Sequence, residues 1–321
     1  MDKRRKQIIE SNEVSQIFTF TLGGIPQKVL IEGKKKDLPV VIALHGGPGS
    51  PIPFSVGCRG MFPEFTDRFL MVCWDQLGCG INDYKIEDKF NIDSYIDMTI
   101  DLVREVKNLF PENQLILFGV SWGTVLCANV VQRVPEYIDA VVAWGQVVKN
   151  LFFNDEVFET LGQADLPKKK QNQLTEIRKQ PPQEKALPFL TGCIRKYTQG
   201  YQNKKDEATP MAPIIKGLLT SPDYKFKDFK AIMVNGCTKS KLLWPELLKI
   251  DLTEKLLSVS KPYYILQGDT DIVTSTKNIQ NMLEQTDNPN LYCEVIKNSG
   301  HMPGKTGMDA IFEALVHLTN S

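Results

Sequence analysis

A glycine-flanked serine between two dissimilar segments most constrains how this 321-residue chain can fold. The apolar run 115–118 leads directly into Gly119-Val120-Ser121-Trp122-Gly123, and residues 124–134 have a helical pattern. Because side chains at the two glycines would collide with the neighbouring strand and helix, the motif predicts a tight strand-to-helix turn. Such a turn exposes the Ser121 hydroxyl and directs the Trp122 backbone N–H and the helix N-terminus toward the same point.

The motif alone is weak evidence for a catalytic serine, because Gly-x-Ser-x-Gly arises by chance in on the order of one in ten chains of this length. The elements around it therefore carry the argument. A hairpin is expected within residues 16–32, and a helix over residues 91–110. Continuous apolar runs, typical of strands buried on both faces of a parallel sheet, occupy residues 38–44, 70–74, 114–119, 138–144 and 262–267. Strands alternating with helices predict an α/β fold with a mostly parallel, doubly wound sheet and right-handed crossovers.

Residues 147–257 depart from this pattern. Strand signals vanish there, and charged helical segments follow one another at 150–161, 171–180, 184–198, 211–219 and 240–256. We therefore expect a core made of residues 1–146 and 258–321, with residues 147–257 inserted as a helical cap, or lid.

A nucleophilic serine needs a histidine base, and the chain has only three histidines. His301 follows the strand predicted over residues 291–297, so it belongs to the sheet edge where the strands' carboxyl ends meet, as does Ser121. His317 lies within the final helix, and His45 lies in a glycine loop where a structural role is expected. The sequence predicts that His301 is the base.

The base in turn needs an orienting carboxylate, and two aspartates are available in Gly268-Asp269-Thr270-Asp271. The longer spacing carries Asp271 past the strand end into the loop, which favours it. Asp269 remains the alternative, with a hydrogen bond to the turn as its other expected role. The chain order Ser, Asp, His is that of an α/β-hydrolase.

The loop His45-Gly46-Gly47-Pro48-Gly49 follows the third predicted strand, where the hydrolase architecture requires an oxyanion-hole donor. A backbone N–H of Gly46 or Gly47 can point inward there, beside that of Trp122.

Composition argues against several other classes of protein. Lysine plus arginine and aspartate plus glutamate each number 38, so no net charge favours nucleic acid or an anionic membrane. No run of apolar residues is long enough to span a membrane, and the basic start lacks the apolar stretch of a secretory signal. Dispersed histidines and the absence of His-Glu-x-x-His and phosphate-loop patterns predict neither metal nor cofactor. A reducing cytoplasm is the expected location.

Four separated motifs together resemble the proline iminopeptidase branch of the α/β-hydrolases. They are His45-Gly46-Gly47-Pro48-Gly49, Asp75-Gln76-Leu77-Gly78-Cys79-Gly80, Gly119-Val120-Ser121-Trp122-Gly123 and Ser299-Gly300-His301. The resemblance implies an α/β-hydrolase fold and a metal-free serine peptidase that releases an N-terminal residue, typically proline. The chain has Leu77 and Val120 where the family usually has arginine and glycine.

The resemblance also implies roles for particular residues. Ser121 would be the nucleophile, Asp271 the acid and His301 the base, with Gly47 and Trp122 forming the oxyanion hole. Family members bind the substrate amine through cap glutamates, which makes Glu246, in Trp244-Pro245-Glu246, a candidate here. Trp244 and Gly46 are further candidates for substrate contact.

The function expected from the sequence is a serine hydrolase acting on a small molecule or short peptide, most simply an aminopeptidase of the proline iminopeptidase type. A carboxylesterase or small-amide hydrolase is the alternative, and a non-catalytic receptor on a hydrolase scaffold is the third. An acidic side chain from the cap facing Ser121 would favour the peptidase, whereas a wholly apolar lining would favour the esterase.

Overall fold

The computed structural model describes residues 3–84, 90–232 and 243–319. Within these ranges one sheet runs in the order β1-β2-β4-β3-β5-β6-β7-β8. Its strands are β1 (Val14–Leu22), β2 (Ile25–Gly33), β3 (Val40–Leu44), β4 (Leu70–Trp74), β5 (Leu115–Val120), β6 (Ala140–Trp144), β7 (Tyr263–Gly268) and β8 (Leu291–Ile296). The β1–β2 and β2–β4 pairs are antiparallel and all other neighbours are parallel. This is the mostly parallel sheet that the apolar runs predicted.

Helices cover both faces of the sheet, so every residue of β3, β4 and β6 is buried. Outside the segment between β6 and β7, the helices are α1 (Lys3–Ser11), α2 (Pro63–Thr66), α3 (Ile92–Leu109), α4 (Trp122–Arg133), α12 (Thr276–Leu283) and α13 (Lys305–Thr319). The apolar sides of α3, α4 and α12 pack on one face, and those of α2 and α13 pack on the other. The sheet is therefore doubly wound, as expected.

The described residues between β6 and β7 are helical or irregular. Their helices are α5 (Asp155–Gln163), α6 (Lys168–Arg178), α7 (Leu187–Tyr197), α8 (Met211–Leu219), α9 (Phe226–Lys230), α10 (Leu243–Leu247) and α11 (Thr253–Leu257). The helix expected from residue 150 begins only at Asp155, because the side chain of Asn154 caps it by accepting from the Val157 N–H. The helix expected over 240–256 is two short helices, and its residues 240–242 lie outside the described ranges.

Helix α1 was not expected from the sequence, which shows only a basic start. Its Arg5 side chain is buried and donates hydrogen bonds to the carbonyl oxygens of Gly57, Arg59 and Gly217. These partners lie far away in sequence, so the sequence of the helix alone does not predict the contacts that hold it. Within the described ranges, every helix is too short or too polar to serve as a membrane span.

Candidate active site

Ser121 occupies a strained turn between β5 and α4. Its backbone has φ 50° and ψ −115°, a conformation that residues other than glycine rarely adopt. The flanking glycines are required by space: a Cβ on Gly119 would lie 2.7 Å from the Cys127 sulfur, and one on Gly123 would collide with the Leu44 carbonyl oxygen. The turn therefore has the tight geometry that the motif predicted.

The structure brings Ser121, His301 and Asp271 together in one hydrogen-bonded chain. His301 Nε2 lies 3.0 Å from Ser121 Oγ, and His301 Nδ1 lies 2.9 Å from Asp271 Oδ2. Because a carboxylate only accepts, Nδ1 carries the proton and Nε2 is free to accept the serine hydroxyl proton. All three residues are buried, with Asp271 fully so.

The two aspartates of the loop after β7 have separate partners. Asp271 also accepts hydrogen bonds from the Val273 N–H at 2.8 Å and the Thr274 hydroxyl at 2.7 Å, which fix its carboxylate. Asp269 instead accepts a hydrogen bond from the Ser299 N–H at 3.0 Å and so holds the loop after β8, which carries His301. The structure therefore places Asp271, and not Asp269, against the imidazole.

His45 holds the glycine loop after β3 beside the serine. Its Nε2 accepts from the Gln76 N–H at 3.0 Å, so its Nδ1 carries the proton and donates to the Gly46 carbonyl at 2.9 Å. Burial lowers the pKa of His45 to about 4, which keeps the ring neutral at physiological pH. A Cβ on Gly46 would lie 3.5 Å from the Ser121 Cβ, so the loop packs directly against the turn.

Gln76 links this loop to helix α4, a role that the sequence did not suggest. Its buried side chain donates to the His45 carbonyl at 3.2 Å and accepts from the Trp122 indole N–H at 2.8 Å. One amide thus connects the glycine loop to the first residue of α4. Its position in the Asp75-Gln76-Leu77-Gly78 motif was the one sequence feature that could have indicated this role.

A cavity of about 810 Å³ opens over Ser121 and His301. Residues of the glycine loop and of the segment between β6 and β7 line it. Most of the lining is apolar and includes Ile52, Val120, Phe152, Leu187, Pro188, Trp244 and Met302. Trp244 and Gly46, the candidates for substrate contact, line the cavity, and so does Gly47.

Glu246, the acid expected to bind the substrate amine, does not line this cavity. It is exposed, and its carboxylate accepts a hydrogen bond from the Ile92 N–H at 2.9 Å, at the first residue of α3. Among the described residues, Glu184 is the acidic side chain that lines the cavity, accompanied by the cations Lys185 and Arg195. Nothing in the sequence distinguished Glu184 from other acids of the same region.

A stretch of chain before α8, residues 199–207, contacts the loops that carry the histidine and the aspartate. The His301 N–H donates to the Gly200 carbonyl at 3.0 Å, and the Met302 N–H donates to the Tyr201 carbonyl at 2.8 Å. Buried Asp206 accepts hydrogen bonds from the Thr306 N–H and the Ser299 hydroxyl. The segment between β6 and β7 therefore supports the imidazole as well as lining the cavity.

Over the three described ranges, no three His, Cys, Asp or Glu side chains cluster as metal ligands would.

The family model for the alpha/beta hydrolase fold matches residues 39–307. The chain belongs to the α/β-hydrolase family. It is 23% identical over 304 residues to the "Probable aminopeptidase YbaC" of Bacillus subtilis, covering 92% of this chain and 93% of that protein. It is 36% identical over 115 residues to the proline iminopeptidase of Neisseria gonorrhoeae, covering 35% of this chain and 34% of that protein.

Solved structures of the same fold include the proline iminopeptidase of Mycobacterium smegmatis. That structure superimposes with a TM-score of 0.63 at 16% identity, covering 95% of this chain and 98% of that one. The resemblance to proline iminopeptidases that the sequence motifs suggested is therefore confirmed, and this α/β-hydrolase has relatives named as aminopeptidases.

Proposed function

We propose that this protein is a serine hydrolase that works through an acyl-enzyme, with Ser121 as nucleophile, His301 as base and Asp271 as orienting acid. The observation that carries the proposal is the unbroken hydrogen-bond chain from Asp271 through His301 to Ser121. Ser121 Oγ attacks the substrate carbonyl while His301 Nε2 takes its proton, and Asp271 stabilises the resulting imidazolium. His301 then protonates the leaving group, and water, deprotonated by the same nitrogen, releases the acyl group.

The negative charge of the tetrahedral intermediate would rest on the backbone N–H groups of Trp122 and Gly47. Trp122 is the first residue of α4, so its N–H has no partner within the helix, and the helix dipole favours negative charge there. One such donor is worth about 2.7–4 kcal/mol of barrier.

We further propose that the substrate is a short peptide from which an N-terminal residue is released, with proline as the first residue to test. The names of the aminopeptidase relatives support this. So does Glu184, whose carboxylate lines the cavity and has no ion-pair partner among the described residues, leaving it available for a substrate ammonium group. Residues 147–257 would then act as a substrate-selecting cap on a core of residues 1–146 and 258–321.

Turnover of prolyl-naphthylamide and of its N-acetyl form tests this proposal. We expect Ser121→Ala to lower kcat by about 10³-fold or more, and the N-acetyl substrate to be resistant. Glu184→Gln should raise KM for the unblocked substrate about tenfold, the worth of one charge-assisted hydrogen bond. Glu246→Gln is the matched control, since it removes an exposed carboxylate outside the cavity, and should leave KM unchanged.

The apolar majority of the cavity lining favours a second candidate, a carboxylesterase or small-amide hydrolase. Equal turnover of the blocked and unblocked naphthylamides, or turnover of simple esters alone, would establish that alternative over the peptidase. A non-catalytic receptor would fail to be labelled at Ser121 by a fluorophosphonate.

The expected location remains a proposal as well. All described cysteines are free thiols, which suits the reducing cytoplasm.

A further inference from the structure

Arg195, on α7, is a cation at the edge of the cavity that the proposed mechanism does not use. Its guanidinium carbon lies 4.0 Å from the centroid of the Tyr201 ring, and its Nη2 donates to the Tyr201 hydroxyl at 2.5 Å. Among the described residues no carboxylate pairs with it, and no ion pair joins it to Glu184. The tyrosine holds the side chain in place while most of its N–H donors stay available.

The Tyr201 ring connects this cation to the imidazole. Its centroid lies 6.0 Å from that of His301, and both residues line the cavity, so Arg195 is one aromatic ring away from the base. In the proposed mechanism His301 protonates the departing amine, which places the leaving group on its side of Ser121. Arg195 therefore lies toward the part of the cavity that receives the leaving group.

We propose that Arg195 binds the C-terminal carboxylate of a short peptide substrate, so that the preferred substrates are dipeptides and tripeptides with a free carboxylate. This inference rests on the proposed aminopeptidase function. A guanidinium presents parallel N–H donors that match a carboxylate. Each extended residue spans at most about 3.3–3.6 Å, so two residues beyond the scissile bond span up to about 7 Å, which exceeds the 6.0 Å between the His301 and Tyr201 ring centroids.

The charges of the cavity suit such a zwitterion. Glu184 offers a negative group for the ammonium end, and Arg195 a positive group for the carboxylate end. Lys185, the neighbour of Glu184 in sequence, is the other cation of the lining, and its substitution reports whether it competes for the carboxylate. An arylamide or ester lacks the second charge and would use only one of these contacts.

The test compares kcat/KM for Pro-Gly and Pro-Gly-Gly with kcat/KM for their C-terminal amides. Wild-type protein should favour the free acids about tenfold or more, as expected for a charge-assisted hydrogen bond, and Arg195→Met should reduce that ratio to nearly one. Lys196→Met is the matched control, because it removes a cation from the next residue of the same helix that does not line the cavity. It should leave the ratio and both rates unchanged. Arg195→Lys should retain part of the preference, because it keeps the charge but loses the paired donors.

Three results would overturn the inference. One is equal turnover of acids and amides by the wild type, and another is an undiminished preference in Arg195→Met. The third is transfer of the effect to Lys185→Met, which would assign the carboxylate to that residue. Failure of the aminopeptidase proposal is distinguishable, because prolyl-naphthylamide would then either resist hydrolysis or be hydrolysed no faster than its N-acetyl form. Melting temperatures of all variants guard against misfolding.

Discussion

Replacing Gln76 with leucine should lower both kcat and the free energy of unfolding. The substitution leaves two buried groups without partners, the carbonyl of His45 and the indole N–H of Trp122. Each such group costs about 1–3 kcal/mol, so the free energy of unfolding should fall by about 2–6 kcal/mol. The same bonds fix the two segments that supply the proposed oxyanion donors. If one donor loses its alignment, kcat should fall by up to about 10²–10³-fold.

The chain contains a matched control for this experiment. Gln27 is also buried, donates to the Leu22 carbonyl at 3.1 Å and accepts from the Trp74 indole N–H at 2.9 Å, but it lies in β2, away from the cavity. Gln27→Leu should lower the free energy of unfolding to a similar extent and leave kcat unchanged. Denaturant unfolding gives the stabilities, and a chromogenic ester or arylamide gives kcat.

A second substitution separates the two hydrogen bonds of Gln76. In Gln76→Glu the introduced carboxyl can accept from Trp122, but it can donate to the His45 carbonyl only when protonated. The activity of this variant relative to wild type should therefore rise as pH falls. If Gln76→Leu retained kcat within about twofold while losing stability as Gln27→Leu does, Gln76 would be structural only and the reasoning would be refuted.

Three further predictions concern the turn, a buried acid and the support of the imidazole. Gly123→Ala should lower the free energy of unfolding by several kcal/mol, measured by denaturant unfolding, because the added Cβ collides with the Leu44 carbonyl. Gly162→Ala is the control, since its Cβ lies in open space within α5, and it should leave the free energy of unfolding unchanged or raise it by up to about 1 kcal/mol. Burial raises the pKa of Asp75 from 3.8 to about 6, so the folded state binds the proton more tightly than the unfolded state. The free energy of unfolding of the wild type should therefore fall relative to that of Asp75→Asn as the pH rises from 4 to 6. Denaturation midpoints that differ by a constant amount across this range would contradict it. Asp206→Ala should lower both the melting temperature and kcat, because it releases the loop that carries the imidazole; an unchanged kcat would show that the loop is held without it.

The parts of the fold and site that could be predicted are encoded locally. The turn at Ser121 could be recognised because its glycines, the preceding strand and the following helix are consecutive in the chain. His301 could be placed at the same sheet edge because parallel strands bring the loops at their carboxyl ends together. Asp271 could only be favoured over Asp269, since both follow the same strand and the difference lies in which loop atoms each carboxylate meets.

The parts that could not be predicted depend on contacts between distant residues. The role of Gln76 requires knowing that three separate motifs meet, and the helix containing Arg5 is held by carbonyl groups of other segments. Glu246 was a candidate because family members bind the substrate amine through cap glutamates, yet its carboxylate accepts a hydrogen bond at the start of α3. Hydrophobic periodicity indicates that a segment is helical, but the direction in which an exposed carboxylate points is set by tertiary packing.

The contacts of residues 199–207 with the loop after β8 have a consequence for exchanging parts between relatives. Because the His301 and Met302 N–H groups donate to carbonyls of this stretch, a chimera that imported the whole segment between β6 and β7 would replace the partners of the His301 loop along with the cavity lining. Exchanges limited to α6 and α7, ahead of residue 199, would change residues that line the cavity and keep these hydrogen bonds. Under the proposed cap function, residue 199 is therefore the boundary at which most of the insertion's cavity-lining residues can be exchanged without the residues that hold the His301 loop.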